Sequence, residues 1–427
     1  MIGKNSEKFS KDWKSASFDI VIVGAGPAGL MAAIAAARTG ARVVVCEQLD
    51  RPGLKLLATG GGRCNLTNTS TIDEFVAHFG RQGRFIRPAL DALKPPTLRT
   101  FLEELHVPTV SPNGFHVYPA SQSAGSVLQA LGQAAESLRV EIVVGAKAIR
   151  LGLEENLITG VETTQGLIEA RRVILAGGGQ SYPKLGGTGG GYAMAEQAGH
   201  KLIEPIPALV PLITKETWPG QFAGTSIASA RIWIDLKGYP REGLRGDLLL
   251  THRGISGPVV LDLSAEIAQI LRRRAEVPIR IAVTPDVPAA DWSAQIECWR
   301  TQAGRKQLFT LLDQKLPASL AEALCQVAGI PRPTIAAQVS AEQRTRLSEA
   351  LTGLSLTVIG TEGFDQAMVT RGGVSLRDVD PNTLESRLVP GLYFAGEILD
   401  LDGPCGGYNL QWAFSSGYLA GRSAGKA

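Results

Sequence analysis

The segment Phe18-Asp-Ile-Val-Ile-Val-Gly-Ala-Gly-Pro-Ala-Gly-Leu30 constrains this chain more than any other. An apolar run of strand character meets a glycine turn, and a small-residue helix is expected to open near Pro27. Each glycine has its own task. Gly24 allows the tight turn, Gly26 lets backbone touch a pyrophosphate, and Gly29 lets the helix lie close on the strand. A helix starting through Pro27 and Ala28 offers free N–H groups and a positive dipole end to phosphate. Such a triplet alone is weak. Here a second strand follows from Arg42 to Cys46, ending in Glu47. That acid lies about twenty positions past the turn, where a ribose-binding carboxylate belongs. A tight βαβ turn without a ligand would leave it unexplained.

The 427 residues suffice for two or three domains and a large core. The net charge of +3 is too small to argue by itself for nucleic acid or membrane. The five cysteines are scattered and form no C-x-x-C, so neither a disulfide framework nor a zinc site is expected. The five histidines are widely spaced, and no metal site is expected. Residues 1–17 are polar and Lys/Ser-rich and read as a tail, not a signal peptide. No apolar run reaches the roughly 18 residues of a membrane span, so a cytoplasmic location is expected.

Three consecutive glycines, Gly60–Gly62, stand among Lys55, Arg63, Cys64 and Asn65 in a stretch that makes poor helix and poor strand. It can wrap a flat anionic ligand, and Leu54, Leu56 and Leu57 suggest that it is packed down. Helices are expected from Phe85 to His106, broken at Pro95-Pro96, and from Ser123 to Leu138. A β-meander then spans Ala146 to Ala170, and the strand from Arg172 ends in Ala176-Gly-Gly-Gly179. A second glycine run, Gly186–Gly191, reads as a packed turn, with a second phosphate cradle as the alternative, and not as a nicotinamide-nucleotide fold. This order resembles the two-dinucleotide-binding-domain flavoproteins, in which FAD lies extended across the strand ends. The resemblance implies that Ala148 contacts the adenine and that the turn through Gly177 lies on the diphosphate side.

The fold class is therefore α/β: a Rossmann-like FAD domain with an inserted β-barrel and helical lobe. The first part of the FAD domain is expected over 18–204, the insert over 205–371 with its helical lobe at about 289–351, and the remainder over 372–427. Within the insert, Thr251-His-Arg-Gly-Ile-Ser-Gly-Pro258 is a polar, Gly-rich bend on apolar flanks, and His252, Arg253 and Ser256 are candidates to face a substrate. For His252 a structural role is the alternative. The strand Leu392-Tyr-Phe-Ala-Gly-Glu397 returns to the first domain. Related flavoproteins place an acid there against the ribitol, here Glu397 after Gly396. The turn Asp402–Gly407 then feeds the last helix, whose N-terminus would aim the amides of Gly407, Asn409 and Leu410 at the flavin pyrimidine.

Gly24–Gly29, Ala58–Asn68, Thr251–Pro258 and Gly396-Glu397 with Gly406-Gly-Tyr-Asn-Leu-Gln-Trp412 together resemble the BaiN/RdsA family, also labelled aminoacetone oxidase-like. The resemblance covers about residues 18–425. It implies FAD, a barrel with a helical cap over the flavin, and one of three activities. These are reduction of conjugated C=C bonds in steroid-like acids, reduction of a uridine in large-subunit ribosomal RNA to dihydrouridine, and oxidation of aminoacetone. Tyr408–Trp412 and Thr251–Gly254 look nearer to the RNA-modifying branch. The expected enzyme is an FAD-dependent oxidoreductase in which NAD(P)H visits transiently to reduce the flavin. A hydride then goes to an electron-poor carbon and a side chain protonates its neighbour. Cys405 and His252 are the candidate acids. An amine oxidase and a non-catalytic flavin redox sensor are the rivals. Ribosomal RNA or a small molecule is the expected partner, and oligomeric state is not legible.

Overall fold

The computed structural model describes residues 17–427. The expected polar tail falls on residues 1–16, outside the described residues. The chain divides into two compact units: one takes the residues up to Ile206 with Met368–Ala427, the other Pro207–Ala367.

The first apolar run forms the strand Ile20–Val23, and the glycine turn leads into the helix Pro27–Ala37. Val43–Cys46 forms the second strand. Neither strand alternates, because every residue in both is buried, as in a sheet covered on both faces. The sheet has five parallel strands in the order Leu392–Phe394, Arg172–Leu175, Ile20–Val23, Val43–Cys46, Glu141–Val143. Ile20–Val23 is central, with its sequence neighbour on one side and a strand some 150 positions away on the other. Such a reversal of strand order opens a crevice at the carboxyl ends, where open α/β sheets take their ligands.

The last helix, Tyr408–Lys426, lies backbone to backbone on Pro27–Ala37. A Cβ on Gly417 would sit 2.2 Å from Ala28 O, and one on Gly421 would sit 2.1 Å from Ala32 O. At Gly425 the nearest atom would be Thr39 Oγ1 at 2.3 Å. Glycines four apart face alanines four apart, which allows this approach.

The meander Ala148–Glu154, Leu157–Thr163, Gly166–Glu169 is an antiparallel sheet as expected. The stretch after Arg51 departs from expectation. Leu54–Ala58 is a short α-helix, Thr59–Gly62 a turn with left-handed Gly60 and Gly61, and Thr67–Asn68 a strand. Tertiary contacts override the weak local preference. Only Leu56 of the three leucines is fully buried, and Leu57 is 37% exposed. The helical stretch is broken at Pro95 as expected, into Gly83–Ala92 and Pro95–Glu104, and Pro95 opens the second helix because its missing N–H is not needed in a first turn. The second glycine run is a self-packed turn: a Cβ on Gly187 would overlap Ser181 O at 1.8 Å.

In the second unit six antiparallel strands close a barrel in the order Leu212–Thr214, Gly254–Ser256, Leu244–Thr251, Ser226–Ile234, Val277–Ala282, Leu354–Thr361. The helices Ala289–Gln302, Leu308–Asp313, Ala318–Val327 and Ala341–Gly353 lie between its fifth and sixth strands in sequence. The barrel interior and these helices share one apolar core around Ile232, Ile279, Leu312, Leu347 and Leu356.

Candidate functional site

The glycine turn is held by the strand ends around it. Gly24 N–H donates to Cys46 O at 2.8 Å, and Gly24 has φ +98°, a conformation that favours glycine. Its missing Cβ leaves room for Ala176 O, which would lie 2.8 Å away. At Gly29 a Cβ would fall 1.9 Å from Gly24 O. Gly26 differs: nothing lies within 4 Å of where its Cβ would be. The helix behind it has no acidic residue in its first turn, so its positive end is uncompensated. Space at Gly26 and bare N–H groups beside it fit a diphosphate.

Glu47 is buried at the end of its strand. Its Oε2 accepts from Ala25 N–H at 2.8 Å and its Oε1 from Leu49 N–H at 3.0 Å. A carboxylate has about four lone-pair sites, so two remain for hydroxyls. Its own carbonyl accepts from Ala146 N–H at 2.8 Å, which brings in the strand that begins at Ala148.

A second constellation draws on four distant segments. Lys55 Nζ lies 2.6 Å from Glu397 Oε2 and 2.5 Å from Ser181 Oγ. Glu397 Oε1 accepts from Ser181 Oγ–H at 2.9 Å and from Thr370 N–H at 2.8 Å. A Cβ on Gly179 would fall 2.9 Å from Glu397 Oε1, so the Gly177–Gly179 turn abuts the same carboxylate. Tyr192 Oη is buried without a hydrogen-bond partner, and burial, then the charges of Glu397 and Asp400, push its pKa up. Gly396 links this cluster to the first helix, since its Cβ would meet Ala28 Cβ at 2.8 Å. The indole of Trp412 donates to Gly396 O at 3.2 Å.

The turn that carries Cys405 is clamped from several sides. Asn409 Oδ1 accepts from Gly403 N–H and its Nδ2 donates to Gly403 O, both at 2.8 Å. Asn68 Nδ2 donates to Gly406 O at 2.9 Å. Asn65 is oriented so that its amide oxygen accepts from Gly407 N–H and its nitrogen donates to Thr67 O, each at 3.1 Å. Arg371 forms a forked pair with Asp402, Nε to Oδ1 and Nη2 to Oδ2, both at 2.9 Å. Gly407, with φ +87°, caps the last helix, whose first turn also lacks an acid. The thiol of Cys405 is half-buried in this turn.

The other expected site residues are placed as follows. Arg63 is exposed, with its guanidinium 5.0 Å from the Tyr118 ring centre. Cys64 is fully buried in a left-handed conformation, and burial pushes its thiol up to about 12, so only its backbone can meet a ligand. His252 and Arg253 form the exposed tip of a two-residue hairpin in the barrel, and Arg253 pairs with Glu362 at 2.8 Å. They and Ser256 belong to the second unit, whereas the other candidates belong to the first. Among the described residues no group of three His, Cys, Asp or Glu side chains is placed to hold a metal ion. No helix among them is long and apolar enough to cross a membrane. Ser181, Thr370, Arg371 and Asn68 are participants that sequence reasoning missed. Asn68 closes the Ala58–Asn68 motif but carried no role of its own there, and the other three are ordinary polar residues outside the motifs.

A parallel sheet with a diphosphate-ready helix start, Glu47 after the neighbouring strand and Glu397 just past the edge strand is the arrangement of an FAD-dependent oxidoreductase of Rossmann type. Over residues 18–423 the chain matches the family model described as HI0933-like protein Rossmann domain, and it belongs to that family. It is 36% identical over 407 residues to the 3-dehydro-bile acid delta(4,6)-reductase of Clostridium scindens, covering 95% of this chain and 98% of that protein. It is 31% identical over 411 residues to the ribosomal RNA dihydrouridine synthase of Escherichia coli, covering 94% and 96%. The resemblance read from the motifs thus extends over nearly the whole chain. In fold it is similar to a 3-ketosteroid delta1-dehydrogenase from Sterolibacterium denitrificans, with a TM-score of 0.54 at 14% identity over 96% of this chain and 99% of that one.

Proposed function

We propose that this protein is an NAD(P)H-driven reductase of a C=C bond conjugated to a carbonyl group. One observation carries the reading. Two relatives matched over at least 94% of this chain bear names that describe one chemistry on different substrates. A Δ4 bond beside a 3-oxo group and the C5=C6 bond of uridine are both electron-poor alkenes next to a carbonyl. Bound FAD would supply the hydride, after reduction by a transient nicotinamide cofactor.

The chain's own residues would hold and screen that chemistry. Gly24, Gly26, Pro27, Ala28 and Gly29 would cradle the diphosphate, with Gly177 beside it. Glu47 would take the ribose hydroxyls with its two remaining lone-pair sites, and Ala148 would face the adenine. Glu397 already accepts three hydrogen bonds, which leaves one site for a ribitol hydroxyl. Lys55 fixes that carboxylate. The 63–65 backbone, Gly396 and the amides of Gly407, Asn409 and Leu410 would line the ring, the last set opposing negative charge on it. Cys405, two residues before the Gly407 cap of the last helix, would give its proton to the substrate α-carbon; His252 is its rival.

The substrate is either a uridine in large-subunit ribosomal RNA or a small enone. Mass spectrometry of ribosomal RNA from a deletion strain separates them: loss of one dihydrouridine supports the RNA substrate, and an unchanged complement leaves the small enone. Oxygen uptake with aminoacetone, and no NAD(P)H-dependent alkene reduction, would replace the reductase by an amine oxidase. Cys405→Ala should slow the oxidative half-reaction at least tenfold. An unchanged rate, with a slow His252→Ala, moves the acid to the barrel hairpin.

A further inference from the structure

One further side chain is held in a defined state beside the Cys405 turn. His116 opens the strand His116–Pro119, in which Val117 and Pro119 are buried, so His116 and Tyr118 share the other face. Their ring centres are 6.3 Å apart. The neighbouring strand pairs Asn68 with His116, and Asn68 also holds Gly406 O. His116 Nε2 lies 3.8 Å from where a Cβ on Gly406 would be, so this nitrogen faces the turn.

Asn113 decides where the ring proton sits. Its Oδ1 accepts from Phe115 N–H at 3.1 Å and from His116 N–H at 2.9 Å, which fixes the amide orientation. Its Nδ2 therefore faces His116 Nδ1, at 2.7 Å. An amide nitrogen only donates, so Nδ1 accepts and the proton is on Nε2. Burial, then the charge of Arg63, holds the ring's pKa below its ordinary value, so the ring is neutral at pH 7. A neutral imidazole in this state is a hydrogen-bond donor to developing negative charge rather than a proton source.

We propose that His116 Nε2–H is the donor to the substrate's carbonyl oxygen and stabilises the enolate that forms as the alkene is reduced. This rests on the enone reading above. Hydride brings an electron pair to the β-carbon. The alkene pair then moves between the α-carbon and the carbonyl carbon, and the carbonyl π pair moves onto oxygen. A proton from Cys405 or water reaches the α-carbon and restores the carbonyl, while His116 keeps its own proton throughout. Uridine O4 and a steroid 3-oxo oxygen are equivalent for such a donor, so one residue would serve both substrate classes.

The test uses the holoprotein, reduced anaerobically with dithionite and mixed with a 3-oxo-4-ene steroid acid or a uridine-containing ribosomal RNA fragment. His116→Phe should reoxidise more slowly by about 10²-fold per bound flavin, the usual effect of removing one oxyanion donor. His116→Gln keeps an N–H donor and should recover at least tenfold of that loss. Asn113→Leu, which releases the tautomer, should fall between wild type and His116→Phe. Equal rates for wild type and His116→Phe overturn the proposal. A second readout needs no turnover: 4-nitrophenol titrated into oxidised holoprotein should bind as phenolate, at least tenfold more tightly in wild type than in His116→Phe. Equal phenolate binding also overturns it. If wild type reduces neither alkene, the enone reading itself fails, and the nitrophenol titration alone decides whether His116 is an anion donor.

Discussion

Gly24, Gly26 and Gly29 look alike in sequence, yet their surroundings give them opposite sensitivities. Gly29→Ala would force a Cβ onto Gly24 O and should destabilise the protein by about 3 kcal/mol, read as a lower Tm. At Gly26 an added Cβ has no protein atom within 4 Å and φ is an ordinary −77°, so for Gly26→Val the apoprotein Tm should stay within about a degree. The same variant should lose FAD, read as the flavin-to-protein absorbance ratio. Retained FAD in Gly26→Val would place the diphosphate elsewhere. His200 makes a residue-scale prediction in pH. It is buried, its Nε2 is 2.7 Å from Ser386 Oγ, and its Nδ1 has no partner. Burial lowers its pKa below 6.5, against a smaller upward pull from Asp378. Below pH 6.5 the unfolded chain therefore binds the proton more readily than the native one, and stability falls as pH falls. Tm should drop between pH 7 and pH 5.5, and His200→Gln should flatten that drop.

Among the elements, the pairing of the first and last helices is the most exacting. Gly417 and Gly421, four apart, let two backbones touch, and no side-chain rearrangement can relieve an intruder there. Gly421→Leu should lower stability by on the order of 3 kcal/mol or more, several degrees in Tm. Gly132, in the helix Ala124–Ser137, provides the contrast because nothing lies within 4 Å of its Cβ position. Gly132→Ala should gain about 0.5–1 kcal/mol from helix propensity. Differential scanning fluorimetry of the two variants checks both signs. The elements were legible from the sequence where punctuation was strong, as at Pro27 and at Pro95. The short helix Leu54–Ala58 was not, because glycine-rich local propensity there is outweighed by long-range packing, Leu56 against the core and Lys55 against Glu397.

On the scale of the whole molecule, the two units have separate apolar cores, one around the parallel sheet and one filling the barrel and its helices. Ile232→Ala empties part of the barrel and should cost about 3 kcal/mol. The purified variant should nonetheless keep its FAD ratio, since the proposed cofactor residues all lie in the first unit. Loss of FAD in that variant would mean that the barrel supplies cofactor contacts. The glycine turn, its dinucleotide class and the acid at Glu47 were determined by the sequence alone, because their chemistry is complete within a few dozen neighbouring residues. The tertiary structure decided which distant polar groups meet. Lys55, Ser181, Thr370 and Glu397 share one cluster, and Asn68 links His116 to Gly406, because strand order brings them side by side. Periodicity records only which face of an element is buried, so it carries no information on which partner that face will find.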